Sequence, residues 1–238
     1  MDEVIGFHKD KRNTEREWMD DPATSPQDLA YAVRDINKVN GLLGGYAFTY
    51  RAVLKLLKQR PINSRTTIVD MGCSDGDILR WLAARLPEEN LRFIGIDVAE
   101  KSIIAARDRT QDSRISYQVL DIHDATPAVL DCDILLCTLT LHHFDDREVV
   151  RLLRSFVRIA GTAVVINDLH RHIVAYRLFQ GLSRLLSFAP ISIHDGLVSI
   201  ASGFTRSGLK IFLQKADITR YEISWKWSFR YLITIHTS

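Results

Sequence analysis

From about residue 66 the sequence alternates between short β-branched apolar runs and longer runs with apolar residues at helical spacing. "TTIVDMG", "LRFIGIDV", "RISYQVLDI", "CDILLCTLTL" and "GTAVVINDL" read as five strands. "DILRWLAARL", "EKSIIAARDRT" and "DREVVRLLRSFVRI" read as helices between them, the last capped by Asp145. Strands alternating with helices of this length predict repeated βαβ units and an α/β fold with a parallel sheet covered on both faces. A further helix, "TRSGLKIFLQKA", precedes two neighbouring β segments, "ITRYEISWKW" and "FRYLITIHT". Their closeness predicts an antiparallel hairpin.

The rest of the chain departs from this rhythm. Residues 1 to about 24 are polar and read as loosely held, apart from Trp18 and Met19. "SPQD" at Ser25 to Asp28 announces a helix, with a serine cap, a proline in the first turn and an acid at the third position. A second helix is expected from about Ala47 to Lys58, stopping near Pro61. Residues 1–60 are thus expected to form a tail and a helical cover, and residues 61–238 the main domain. An insertion at about 170–203 begins with an amphipathic helix through Ile173, Val174, Phe179, Leu182, Leu185 and Leu186. It continues with "APISIHDGLVSIASG", read as a turn-rich loop able to fold over a site.

Charge and cysteine usage narrow the class. A net charge of +2 gives no reason to expect nucleic acid or a membrane surface. No run approaches the roughly 18 apolar residues of a membrane span, and the N-terminus lacks a signal peptide's apolar core. Cys73, Cys132 and Cys137 show no metal-ligand spacing and read as reduced core residues, so no metal is expected. A cytoplasmic chain without stable membrane insertion is the expectation.

The stretch "VDMGCSDGD", Val69 to Asp77, holds two glycines just after a strand. A dinucleotide fingerprint needs G-x-G-x-x-G, and Gly72 is followed by Ser74 and then Gly76, out of register. Asp75 and Asp77 near a helix N-terminus would repel a pyrophosphate, and the Lys-Ser/Thr pair of a P-loop is missing. Asp70 two residues before Gly72, with Gly76 letting the backbone pass close to a ligand, suits a cationic ligand better. The second strand ends in Asp97, placed to take ribose hydroxyls or to cap the helix starting near Ala99. The third ends in Asp121 and Ile122, suited to an adenine amino group and ring face, although Asp121 alone also fits a solvated loop acid.

In order and at successive strand ends, these segments resemble the class I S-adenosylmethionine-dependent methyltransferases of small-molecule type. "VDMGCSDGD" resembles that family's glycine loop, "IGIDVAEKSI" its ribose-binding strand and "VLDIHD" its adenine segment. "LLCTLTLHHF" resembles its fourth strand and the loop that follows. Ser74 departs from the pattern, since many members have glycine there. The resemblance runs from about Ile68 to the C-terminus. It implies a Rossmann-like, seven-stranded, mostly parallel sheet in the order 3-2-1-4-5-7-6 with an antiparallel last strand. It also implies S-adenosyl-L-methionine as cofactor, held by Asp70, Gly72, Ser74, Gly76, Asp97, Val98, Asp121, Ile122 and Leu139.

The implied reaction is methyl transfer to a small acceptor, apolar aromatic or polyketide- or quinone-like, with oxygen as the expected target. Carbon methylation, a protein or RNA acceptor and a non-catalytic relative are the alternatives. "TLTLHH" in place of an Asn/Asp-Pro-Pro-Tyr pattern argues against DNA or glutamine acceptors. Secondary metabolism is the expected setting, and a homodimer stays open.

An acceptor hydroxyl must lose its proton, and histidine suits that near neutral pH. His170, directly after the fifth strand, is the expected base. His142 is the second catalytic candidate, or else shapes the cofactor's methionine pocket. His143 is read as packing under Phe144, His172 as a surface residue and His194 as a turn residue. Tyr46 and Arg51 are candidates to approach the cofactor's carboxylate.

Overall fold

The computed structural model describes residues 6–21, 23–61 and 64–237. Residues 1–5 and 22 of the expected tail lie outside the described residues. Seven strands form one sheet: β1 (Thr66–Met71), β2 (Leu91–Asp97), β3 (Ile115–Val119), β4 (Ile134–Thr138), β5 (Ala163–Leu169), β6 (Tyr221–Lys226) and β7 (Arg230–His236). Their order is β3-β2-β1-β4-β5-β7-β6. The first five pair in parallel, β7 runs antiparallel to β5 and β6 antiparallel to β7, as the family resemblance implied. All six residues of β1 are buried, so "TTIVDM" shows no alternation of apolar and solvated positions.

Side-chain alternation along the strands builds two apolar layers. On one face Val69, Leu135, Val164 and Ile166 pack with Val149, Leu152 and Phe156 of α5 (Asp146–Ile159) and with Leu209 and Leu213 of α8 (Arg206–Lys215). On the other, Ile68, Phe93, Leu136 and Val165 pack with α2 (Gly45–Leu57), α3 (Asp77–Ala83) and α4 (Glu100–Asp108). The cap signals work as read. The Ser25 hydroxyl accepts the Asp28 amide ahead of α1 (Pro26–Leu42), and Asp145 with Glu148 closes a capping box on α5.

Two expectations fail. The segment read as a turn-rich loop is a second insertion helix, α7 (Pro190–Ser202), which packs on α6 (Ile173–Leu185) and α1. The polar stretch read as loosely held is a strap. Arg12 donates to the carbonyls of Ser202 (2.7 Å) and His142 (2.9 Å), and Asn13 donates its amide to Ala201. The Trp18 and Met19 amides both donate to the buried Asp195 carboxylate, at 2.7 and 3.0 Å. The strap, α1, α6 and α7 therefore form one lid over the carboxyl ends of the strands. No helix among the described residues is long and apolar enough to cross a membrane.

Candidate cofactor and acceptor site

The turn after β1 passes through left-handed backbone three times, at Gly72 (φ +75°), Ser74 (φ 48°) and Gly76 (φ +74°). A β-carbon on Gly72 would stand 2.4 Å from Thr140 Cγ2, and one on Gly76 would stand 2.2 Å from the Tyr117 hydroxyl. Sterics therefore demand glycine at both. Ser74 is held in its uncommon conformation by its amide, which donates to Asp97 Oδ2 at 2.8 Å. The other oxygen of Asp97 accepts the Ala99 amide at 2.9 Å, so this carboxylate clamps the loop and starts α4 together. Both oxygens keep lone pairs for a further donor, and burial raises the carboxyl's pKa. Asp70 lies wholly inside, with Oδ1 lacking any hydrogen-bond partner. Burial, with Asp97 adding repulsion, pushes its carboxyl well above the usual range.

These groups open into one cavity of about 1830 Å³. Asp70, Gly72, Ser74, Asp97, Val98, Asp121, Ile122, Leu139 and His142 all line it, and Gly76 turns the chain just behind them. Its lining also holds an apolar group, Val33 and Ile36 of α1, Leu178, Phe179 and Leu182 of α6, and Phe188. The volume exceeds the 300–1,000 Å³ usual for one small ligand, which leaves room for a cofactor and an acceptor side by side.

His142 and His170 sit in opposite electrostatic surroundings. His142 is buried, with Nδ1 2.7 Å from Asp168 Oδ1. Burial alone would lower its pKa, but Asp168 and then Glu17 override that and push it up to about 9. His170 also lines the cavity, yet burial, His172 and Arg171 push its pKa down to about 4. Its Nδ1 accepts the Trp225 indole N–H at 3.2 Å. The neutral ring then carries its proton on Nε2 and has no nitrogen left to accept another.

The remaining candidates fall elsewhere. His143 does not pack under Phe144; its Nδ1 is 3.0 Å from Asp20 Oδ2, and Phe144 meets His123 edge-on. His172 accepts the Val174 amide as the N-cap of α6. His194 lies within α7 rather than a turn, stacked on Trp18 at 3.8 Å. Tyr46 lines the cavity and donates to Asp77 at 2.9 Å, whereas Arg51 is exposed and away from it. Glu17 and Arg230 are lining residues that sequence reasoning missed. Arg230 is buried, donates Nη2 to Asn40 at 2.6 Å and leaves Nε and Nη1 without partners. Only the apolar pair Trp18–Met19 hinted that the strap is anchored.

Residues 68–161 match the family described as "Methyltransferase domain", and that range contains the glycine loop, Asp97, Asp121 and the "LHHF" turn. Residues 68–161 thus form a methyltransferase domain of the kind the sequence resemblance implied. The juvenile hormone acid O-methyltransferase of Bombyx mori is 30% identical over 107 residues, 44% of this chain and 37% of that protein. The trans-aconitate 2-methyltransferase of Variovorax paradoxus is 26% identical over 150 residues, 62% of this chain and 56% of that one. The matched stretches span about a third to a half of these curated relatives.

Two solved methyltransferases share the fold along most of their length. The plantazolicin methyltransferase BpumL, in complex with SAH, superimposes with a TM-score of 0.68 at 17% identity, covering 90% of this chain and 91% of that one. The magnesium protoporphyrin IX methyltransferase of Synechocystis PCC 6803, with bound SAH, gives 0.55 at 14% identity, covering 82% and 84%. The seven-stranded architecture of this chain is thus a shared fold.

Proposed function

We propose that this methyltransferase transfers a methyl group from S-adenosylmethionine to an oxygen of a small, largely apolar acceptor. The observation that carries the reading is the single cavity lined by both the glycine loop and the apolar group. The residues around the glycine loop fit the cofactor. Asp70 offers a buried, unpartnered carboxylate oxygen to a cation, Asp97 offers lone pairs to ribose hydroxyls, and Asp121 with Ile122 offers an acceptor and an apolar face to adenine. When bound, the cofactor supplies an electrophilic methyl on a sulfonium. The protein's own task is then to hold the acceptor in line and to limit water, a role that suits the lid of α1, α6, α7 and the strap. Oxygen as the target is supported by relatives named O-methyltransferases, from Bombyx mori and Acetivibrio thermocellus.

Thermal unfolding with S-adenosylhomocysteine tests the cofactor half. A ligand at 100 times its Kd stabilises by about 2.7 kcal/mol, roughly 5–10 °C for a chain of this size. NAD should give no shift. Absence of a shift with the nucleoside would remove the reading. For the acceptor half, His170 acts as the base only if its ring leaves Trp225. A tenfold or greater fall in turnover in His170→Ala, with unchanged nucleoside affinity, supports that role, and unchanged turnover removes it.

A further inference from the structure

Where the strap crosses the loop after β4, three side chains point at one small volume. Glu17, His142 and His143 each place a ligand-type atom within 4.8 Å of the other two. Glu17 Oε1 lies 3.5 Å from His142 Nε2, and Oε2 lies 3.9 Å from His143 Nε2. These gaps exceed the 2.7–3.2 Å of a good hydrogen bond. The first is close to the about 3.4 Å between ligand atoms held by bonds of about 2.1 Å in a tetrahedron, and the second is wider, so a cation would draw His143 and the carboxylate inward.

The far side of each ring strengthens the case. His142 Nδ1 is 2.7 Å from Asp168 Oδ1, and His143 Nδ1 is 3.0 Å from Asp20 Oδ2. A carboxylate behind each imidazole is the arrangement that fixes metal-binding histidines, because it accepts the Nδ1–H and aims Nε2 forward, where a cation displaces the Nε2 proton. His142 is 4% exposed, and its Nε2 is buried with no hydrogen-bond partner. Three carboxylates surround two imidazoles, so the cluster with neutral histidines is strongly negative.

We propose that Glu17, His142 and His143 bind a divalent transition-metal cation, with Asp168 and Asp20 orienting the two histidines. Two imidazoles and one carboxylate suit Zn²⁺ and also Fe²⁺. All three ligands line the cavity, so a bound cation would border the space left for an acceptor. If the methyl-transfer reading holds, the cation has a clear use. It binds the acceptor hydroxyl oxygen and lowers that group's pKa. The proton leaves to solvent, the oxygen lone pair forms the O–CH₃ bond, and the breaking S–CH₃ bond leaves its electron pair on sulfur. His170 then need not take the proton.

The binding claim is tested apart from turnover. The full chain is stripped with a chelator and titrated with Zn²⁺ and with Co²⁺, whose visible absorption reports coordination by imidazole and carboxylate. About one equivalent should bind saturably. Affinity should fall at least tenfold in His142→Ala, His143→Ala and Glu17→Gln, and stay unchanged in His236→Ala, which alters a histidine at the end of β7. Far-ultraviolet circular dichroism and thermal unfolding identify variants that remain folded, and Glu17→Gln, which retains the Ser199 hydrogen-bonding geometry, decides the matter if either alanine variant unfolds. Two results overturn the site: no saturable metal uptake by folded wild type, or equal uptake by a folded Glu17→Gln. Nucleoside binding without metal uptake would sink the metal site alone and leave the methyltransferase reading standing.

Discussion

Three left-handed residues within five positions make the glycine loop a backbone that glycine adopts freely and other residues only under strain. Gly76→Ala would incur about 1–2 kcal/mol for the backbone and about 1–3 kcal/mol for overpacking against Tyr117, roughly 3 kcal/mol together. The melting temperature should fall by about 6–12 °C, and a fall under 2 °C would contradict the steric account. Ser74→Gly has the opposite balance: relief of left-handed strain offsets the greater entropy of glycine, so stability should change by less than about 1 kcal/mol. Asp70 carries the pH dependence. Its folded pKa is raised, so the stability gained from keeping it protonated is present at low pH and is lost as pH rises through that value, which lies above 3.8. The ionised form is the one that binds an ammonium. Affinity for S-adenosylhomocysteine should therefore rise over the same window in which the apoprotein loses stability. Calorimetry in buffers of different ionisation enthalpy should show proton release on binding at the acid end of that window. Asp70→Asn should abolish it, and a pH-independent wild type would refute the assignment.

At the scale of elements, the strap and α7 stand or fall together, because two strap amides end on one α7 carboxylate. Asp195→Ala leaves both amides without their acceptor. Tryptic cleavage at Lys11, Arg12 or Arg16 should then accelerate at least tenfold, the equivalent of about 1.4 kcal/mol of local opening, while far-ultraviolet circular dichroism stays that of the wild type. Unchanged cleavage would mean the strap is held from elsewhere. These two elements were also the ones hidden in the sequence. β1 to β5 were legible because each is a short apolar run bounded by polar turns, a local signal. Strand order came from the family resemblance, since spacing alone does not fix which edge a crossover reaches. α7 was masked by Asp195-Gly196, a turn pair by composition. In the fold Asp195 is a buried anchor, and Gly196 is small because a β-carbon there would stand 2.2 Å from the Phe179 ring. The Glu17–His142–His143 cluster was invisible for a related reason: Glu17 lies far along the chain from the adjacent His142 and His143, and no periodicity links them.

For the whole molecule, the cavity divides the labour between the two ends of the chain's fold. The strand ends and glycine loop supply the polar half, and helices from outside the matched domain supply most of the apolar half. Substitutions in α6 should then alter acceptor use without touching the cofactor. Leu178 and Leu182 are 56% and 41% exposed although they line the cavity, an unusual state for leucine unless a ligand covers them. Leu178→Trp adds bulk at a position with free space, so the core need not repack and thermal stability should hold within about 0.5 kcal/mol, as for surface changes. In a panel of phenolic and carboxylic acceptors, followed by release of S-adenosylhomocysteine, the large members should lose at least tenfold in kcat/KM. The smallest should be nearly unaffected, because they do not reach α6. Cofactor affinity should stay within twofold of wild type. If large and small acceptors lose equally, the apolar end is not where the acceptor lies; if cofactor affinity falls with them, the two halves of the cavity are not separate sites.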